Sequence, residues 1–146
     1  MSDRDECVFC RKIDNRGDEH GYAIPMLNGE VWTFEPIDPV TPGHRLFVPT
    51  EHVEHDARCI DLALPQAVRA AEAWAVANGV GSWNLITSAG AAATQTVAHL
   101  HVHLVPRRAG DGLALPWTQT APQRVMLGMG QDVAHLLANQ GGGTHG

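Results

Sequence analysis

The sequence is poor in cysteine, in positive charge and in long apolar runs. Lysine and arginine total 10 against 16 acidic residues, and the net charge of -6 argues against a general nucleic-acid binder, which would need a basic face. No apolar run approaches the length of a membrane span, and the polar, acidic residues 1–6 are unlike a signal peptide. We therefore expect a cytoplasmic protein that binds neither membranes nor nucleic acid. In that compartment, three cysteines do not amount to a disulfide framework.

Histidine, by contrast, is abundant, with nine in the chain, and three of the nine alternate with aliphatic residues within residues 98–106. A period of two predicts a half-buried β-strand there. The side chains expected to face the core are the aliphatic ones, Leu100, Val102 and Leu104. The opposite face would carry the row of imidazoles, His99, His101 and His103. Such a row can chelate a metal ion, or it can hold a nucleophilic imidazole whose neighbours handle charge and protons.

A second motif lies near the N-terminus, where Cys7 and Cys10 form a C-x-x-C pair in what the sequence indicates is a short turn. Redox chemistry is one interpretation, although no thioredoxin-like strand precedes the pair. A zinc knuckle is another, and it needs two further ligands from elsewhere in the chain. The third interpretation is that the two cysteines are simply buried and bind no metal.

The length of 146 residues predicts one domain, and periodicity and turn residues predict that it contains both strands and helices. Besides residues 98–106, strands are predicted over residues 30–35, 44–49 and 82–88, the first two of these paired antiparallel. Helices are predicted over residues 65–78 and 123–138. The small-residue face of the first helix would consist of Ala67, Ala70, Ala71, Trp74 and Ala77. Residues 11–21 are expected to form a loop. The domain is expected to span residues 1–140, followed by a disordered glycine-rich tail over residues 141–146.

Residues 95–105 contain a glutamine followed by histidines that alternate with hydrophobic residues, ending in two hydrophobic residues. This block resembles the signature of the histidine-triad (HIT) family. Further blocks agree in order along the chain, namely residues 7–10, 39–44, 48–52, 83–85 and 106–107. The resemblance implies an α+β fold with about five antiparallel strands, one long helix and a shorter helix packed on the sheet, and a two-fold homodimer.

The resemblance also implies a chemistry for the histidine row. His101 would attack the α-phosphorus of a nucleotide and form a nucleotidyl-histidine intermediate, which water then opens. His103 would neutralise phosphoryl oxygens or protonate the leaving group. Gln95 would assist catalysis, and with Thr96 it can donate hydrogen bonds to the phosphate. The sequence has neither a glycine-rich lysine loop nor an acidic magnesium pair, which fits a mechanism without a metal at the phosphorus.

Family members with an N-terminal C-x-x-C resemble zinc proteins of bacterial or phage type. By that resemblance, Cys7, Cys10, His52 and His99 would form a closed, structural Cys₂His₂ zinc site that ties the N-terminus to the catalytic strand. His55 is the rival of His52 for the third ligand.

The substrate itself is expected to be a small nucleotide, either a dinucleoside polyphosphate or a nucleoside phosphoramidate that the protein hydrolyses. Nucleotidyl transfer and regulatory nucleotide binding are the alternatives. The residues expected to contact the substrate are Thr96, Ser88, Glu35, His44 and Trp117. His44 would also support the triad by hydrogen bonding. Pro36 replaces the family's ribose-binding aspartate, so Glu35 or Asp38 would have to substitute for it. Thr94 stands where a glycine usually precedes the glutamine, and Ser88 replaces an asparagine.

Overall fold

The computed structural model describes residues 3–15, 21–57 and 59–118. Residues up to Ala109 belong to one compact unit and those from Gly110 onward to a second. The described part of the second unit, residues 110–118, consists of turns and irregular backbone. The helix predicted over residues 123–138 and the tail over residues 141–146 lie outside the described residues. The single domain over residues 1–140 therefore stays a prediction.

The first unit is built on a five-stranded antiparallel sheet, as expected. Its strands are β1 (Gly21–Met26), β2 (Gly29–Phe34), β3 (Arg45–Pro49), β4 (Trp83–Ile86) and β5 (Val102–Pro106). Their order across the sheet is β1-β2-β3-β5-β4, and every neighbouring pair is antiparallel. The predicted pairing of the two strands around residues 30–35 and 44–49 is confirmed, and β5 occupies an interior position between β3 and β4.

Strand β1 was not predicted from the sequence, which placed a loop up to residue 21. It forms a hairpin with β2, in which Ala23 lies opposite Trp32. At Gly21 the indole of Trp32 passes so close that a Cβ atom would lie 2.6 Å from the indole nitrogen. The hairpin therefore closes around Trp32 because residue 21 has no side chain.

One face of the sheet is covered by α3 (Leu64–Ala77), which a π-helical turn over Cys59–Ala63 precedes. The buried helix residues are small, namely Ala67, Ala70, Ala71 and Ala75. They pack against Val31, Phe47, Val102 and Leu104 of the sheet. Ala77 was predicted on this face but is exposed, because the buried stripe continues one turn beyond Ala71 at Ala75. Among the described helices, of which α3 with 14 residues is the longest, none has the length and apolar character that crossing a membrane requires.

The opposite face is covered by the N-terminal helices α1 (Asp3–Glu6) and α2 (Val8–Asp14). Ile13 and Phe9 of α2 pack against β2 and β3, and Arg4 donates a hydrogen bond of 3.1 Å to the Thr50 carbonyl just after β3. Two sequence predictions are wrong here: residues 11–14 are helical, and Cys10 lies within α2, not in a turn. Helix α2 covers the end of the histidine row that holds His99 and His101, and both are buried, whereas His103 is half-buried.

Candidate active site and metal cluster

The histidine row enters the sheet later than its alternation predicted. Regular strand pairing begins at Val102, so residues 98–101 precede β5 and do not form its first half. The Leu100 N–H donates to the Val53 carbonyl at 2.7 Å, which holds this segment against the loop after β3. Leu100, Val102 and Leu104 are buried, as predicted. His99 and His101 are buried as well, so the expectation of a half-buried strand is wrong for this end of the row.

His101 is held by one hydrogen bond from its ring and by a second one to its own carbonyl. Its Nδ1 lies 2.8 Å from the His99 carbonyl oxygen, and since a carbonyl can only accept, Nδ1 carries the proton. In the neutral ring, Nε2 is then left with a free lone pair. The Thr87 hydroxyl donates to the His101 carbonyl at 2.9 Å, and the Phe9 ring packs edge-on against the imidazole, with centroids 5.1 Å apart. Burial lowers the pKa of His101, which keeps the ring neutral and nucleophilic near pH 7.

His103 is oriented by His44 through a relay of hydrogen bonds. The Val40 N–H donates to Nδ1 of His44 at 3.2 Å, so the His44 proton lies on Nε2. That nitrogen donates to Nδ1 of His103 at 2.9 Å, which leaves the His103 proton on Nε2 as a hydrogen-bond donor. Burial, together with the neighbouring rings of His101 and His44, lowers the pKa of His103 to about 4. Burial also lowers the pKa of His44, so His44 and His103 are both neutral at neutral pH and His44 orients the His103 ring through their hydrogen bond.

A cluster of four potential metal ligands adjoins this row. Its members are Cys7, Cys10, His52 and His99, the set predicted from the sequence, and their ligand atoms all lie within 4.8 Å of one another. Nδ1 of His99 is 3.5 Å from each of the two sulfur atoms, and Nδ1 of His52 is 3.3 Å from Cys10 Sγ. His55 instead lies beside Cys59, with Nδ1 3.9 Å from that sulfur, so the structure brings His52 to the cluster.

The donor set and its spacing fit a tetrahedral zinc ion. Zn–S and Zn–N bonds of ordinary length imply sulfur–nitrogen separations of about 3.6 Å in a tetrahedron, which the 3.3 and 3.5 Å separations approach. His99 donates from Nε2 to the Pro49 carbonyl at 2.8 Å, so its Nδ1 is the unprotonated nitrogen beside the sulfurs. Burial lowers the pKa of His99 to about 4, and burial together with Cys7 raises that of the Cys10 thiol to about 11. The four residues thus form a cluster that could hold a metal.

Comparison with known proteins agrees with this geometry. The sequence matches the model of the HIT domain family over residues 26–110, which is more than half of its 146 residues. The chain belongs to the HIT domain family. Adenosine 5'-monophosphoramidase of Saccharomyces cerevisiae is 29% identical over 112 residues, which cover 76% of this chain and 69% of that protein.

Two solved structures resemble this HIT domain. A HIT family hydrolase from Clostridium thermocellum superposes with a TM-score of 0.60 at 32% identity, covering 75% of this chain and 96% of the other. A zinc-bound histidine triad family protein from Mycobacterium smegmatis superposes with a TM-score of 0.53 at 26% identity, covering 94% and 96% of the two chains.

Gln95 lies in the loop of the HIT domain that precedes the histidines, and its side-chain amide is bonded within that loop. Its Oε1 accepts from the Gly90 N–H at 2.8 Å, and its Nε2 donates to the Ala98 carbonyl at 3.1 Å. Thr94 beside it has a φ of 63°, in the left-handed region that a β-branched residue rarely adopts. The backbone of Thr94 thus has a conformation that glycine favours, and Thr94 stands at the position where the HIT family usually has a glycine.

The remaining predicted substrate contacts differ in how far they are exposed. Thr96 is exposed and lines an open groove with the metal-cluster residues Cys7, His52 and His99. Glu35 is exposed just beyond β2, as is its rival Asp38 in the following loop. The other two predicted contacts are Ser88, which is half-buried, and Trp117, which is 63% exposed in the second unit. His44, also predicted to contact substrate, has both ring nitrogens bonded within the protein.

Three contributors to this site were missed in the sequence. Phe9 covers His101, Thr87 anchors the His101 backbone, and the Pro49 carbonyl orients His99. The only sequence signal for Phe9 is an aromatic residue inside the C-x-x-C motif. Two of the three contacts join residues more than 45 positions apart, namely Phe9 with His101 and Pro49 with His99, and no local pattern reports such pairs.

Proposed function

We propose that the protein is a nucleotide hydrolase that cleaves at the α-phosphate through a nucleotidyl-histidine intermediate on His101. The observation that carries the proposal is the hydrogen bond from His101 Nδ1 to the His99 carbonyl. It fixes the tautomer that presents an unprotonated Nε2, and the lowered pKa keeps that nitrogen unprotonated at neutral pH.

In the first step, the His101 Nε2 lone pair forms a bond to the α-phosphorus while the bond from phosphorus to the leaving group breaks. His103, whose Nε2 carries a proton, donates a hydrogen bond to the phosphoryl oxygens or to the leaving group as negative charge develops. In the second step, a water oxygen displaces His101 from phosphorus, which releases the nucleoside monophosphate and regenerates the free imidazole. The proton that this water loses replaces the one that the leaving group takes up in the first step.

Phosphate and nucleoside binding are proposed for the loops around this centre. Thr96 and Ser88 would donate hydroxyl hydrogen bonds to the phosphate, and Gln95 would hold the loop that presents them. Glu35 or Asp38 would accept from the ribose hydroxyls. A contact between Trp117 and the substrate stays a prediction from the sequence.

For the metal cluster we propose Zn²⁺, held by two thiolates and two imidazoles. Such a closed site is structural: it would join the N-terminal helices to the loop after β3 and to the segment that leads into β5. The chain's own residues already prepare the site, since Pro49 fixes the His99 tautomer and Phe9, between the two cysteines in sequence, packs against His99. The zinc-bound relative supports the choice of ion.

The substrate class we propose is nucleoside phosphoramidates, with dinucleoside polyphosphates second. The yeast relative that carries the name adenosine 5'-monophosphoramidase supports this order. A cytoplasmic location and a homodimer remain predictions. Light scattering at micromolar concentration would test the dimer, and a monomer mass would contradict it.

The experiment is rapid quenching with a nucleoside phosphoramidate labelled at the α-phosphorus. The wild-type protein should carry an acid-labile, base-stable label on His101. His101→Asn should form no label and lose several orders of magnitude in kcat while it still binds nucleotide, because a covalent nucleophile has no substitute. His103→Ala should lose less, about 10²–10⁴-fold, as expected for general-acid assistance.

Other outcomes distinguish the alternatives. Label transfer to an added nucleophile in place of water would indicate a nucleotidyltransferase. Nucleotide binding with no turnover would indicate a regulatory protein. Comparable turnover by wild type and His101→Asn, with no label in either, would refute the proposal.

A further inference from the structure

The turn that presents His44 lies against the C-terminal end of β5. Residues 41–44 form a tight turn in which the His44 N–H donates to the Thr41 carbonyl at 3.1 Å. Pro42 and then Gly43, with a φ of 86°, occupy the two central positions, as a type II turn requires. A Cβ atom on Gly43 would lie 3.1 Å from the Pro106 ring, so the turn lies directly against the last residue of β5.

Arg108, two residues after β5, reaches back and binds this turn at two points. Its Nη1 donates to the Thr41 hydroxyl at 2.9 Å, and its Nη2 lies 3.3 Å from the Pro42 carbonyl. Thr41 is buried although it is polar, and its hydroxyl accepts from this guanidinium. One planar, permanently charged group thus connects the side chain of the turn's first residue to the backbone of its second.

The contacts form a continuous path from Arg108 to the histidine row. Arg108 holds the turn, Val40 immediately before the turn donates to His44 Nδ1, and His44 Nε2 donates to His103. A small rotation of the turn would move His44 out of line with His103, since hydrogen bonds weaken steeply with angle.

We propose that Arg108 is a positioning residue for catalysis, which clamps the 41–44 turn so that His44 keeps the His103 proton on Nε2. This inference rests on the proposed hydrolase function. Arg108 needs no contact with substrate in this role, and its effect is expected on the chemical step and not on nucleotide affinity.

The kinetic test compares variants of the clamp in the full-length protein. Arg108→Ala should lower kcat about fivefold, as the loss of charged hydrogen bonds at a partly exposed site predicts, with KM unchanged. Thr41→Val, which keeps the side-chain shape but removes the acceptor, should lower kcat similarly, and Arg108→Lys should restore part of the loss. The matched control is Arg107→Ala, because Arg107 instead donates to Asn84 at 2.7 Å and should leave kcat unchanged.

A second pair of measurements asks whether Arg108 acts through His44. In a His44→Ala background, Arg108→Ala should have no further effect on kcat. In NMR spectra, the ring N–H proton of His44 should be observable in wild type and in Arg107→Ala, and broadened by solvent exchange in Arg108→Ala. The NMR comparison needs no turnover, so it tests the clamp even if the hydrolase proposal fails.

Three results would overturn the inference. A rise in KM with kcat unchanged would make Arg108 a substrate contact. If Arg108→Ala lowered kcat as much in the His44→Ala background as in wild type, Arg108 would not act through His44. An unchanged His44 ring signal in Arg108→Ala would show that the turn does not depend on the clamp.

Discussion

The four potential metal ligands lead to a quantitative prediction about stability. They come from three separate stretches of chain, so only the folded protein presents them together. Zinc should therefore add RT ln(1 + [Zn]/Kd) to the free energy of unfolding, about 2.7 kcal/mol at a hundredfold excess over Kd. For a chain of this size that corresponds to a rise of about 10 °C in Tm. Cys7→Ser should remove most of this gain, together with the bound metal.

The pKa of Cys10 adds a pH dependence to the same site. Burial and the neighbouring Cys7 raise the pKa of the Cys10 thiol to about 11, so this thiol is protonated at neutral pH, whereas a zinc-bound sulfur is a thiolate. Each bound ion must displace that proton. Zinc affinity should consequently fall at least about tenfold for each unit by which the pH is lowered from 8 to 6. His99, with its pKa lowered to about 4, gives up no proton in this range.

The assay is metal analysis combined with thermal unfolding, with and without a chelator. Purified wild-type protein should hold about one zinc ion per chain and melt at a lower temperature once the metal is removed. The matched control is Cys59→Ala, since Cys59 is equally buried but packs with Val53 and Leu100 outside the cluster. This variant should keep its zinc and its response to the chelator.

Two results would contradict a zinc ion bound by Cys7 and its neighbours. One is a wild-type protein without zinc whose Tm is the same with and without the chelator. The other is a loss of zinc in Cys59→Ala as large as that in Cys7→Ser, because the metal would then depend on a thiol outside the cluster.

Two further predictions concern His103 and Thr94. The pKa of His103 is lowered from 6.5 to about 4, so the unfolded chain binds a proton at this residue more tightly than the folded protein does. The free energy of unfolding should therefore be greatest above pH 6.5 and fall as the pH drops towards 4. In His103→Gln this fall should be less steep. Urea unfolding at pH 7.5 and pH 5 would measure this, and constant stability would contradict it. Thr94→Gly should raise the free energy of unfolding by about 0.5–1 kcal/mol. The left-handed backbone of Thr94 costs about 1–2 kcal/mol in any residue other than glycine, and the greater flexibility of glycine in the unfolded chain offsets part of the gain from removing that cost. Lower stability in urea would show that the Thr94 side chain contributes more than the strain costs.

Local sequence patterns were enough to predict several strands, one helix and the four potential metal ligands. Alternation with period two identified the strands around β2 and β5, and the spacing of the alanines identified α3, since these periods follow directly from strand and helix geometry. Short apolar-rich runs identified the strands around β3 and β4. The ligand set Cys7, Cys10, His52 and His99 also came from the sequence, through motif order and resemblance, and the structure brings those residues together.

Other features of the site depend on contacts between distant parts of the chain, which only the folded protein brings together. Helix α2 covers the histidine face and buries His101, which alternation alone had placed on a half-buried surface. The hydrogen bond between His44 and His103 joins residues 59 positions apart, and it sets the tautomer of His103. Which ring nitrogen of a histidine is protonated depends on the partner that the fold places beside it, and a local sequence pattern contains no information about that partner.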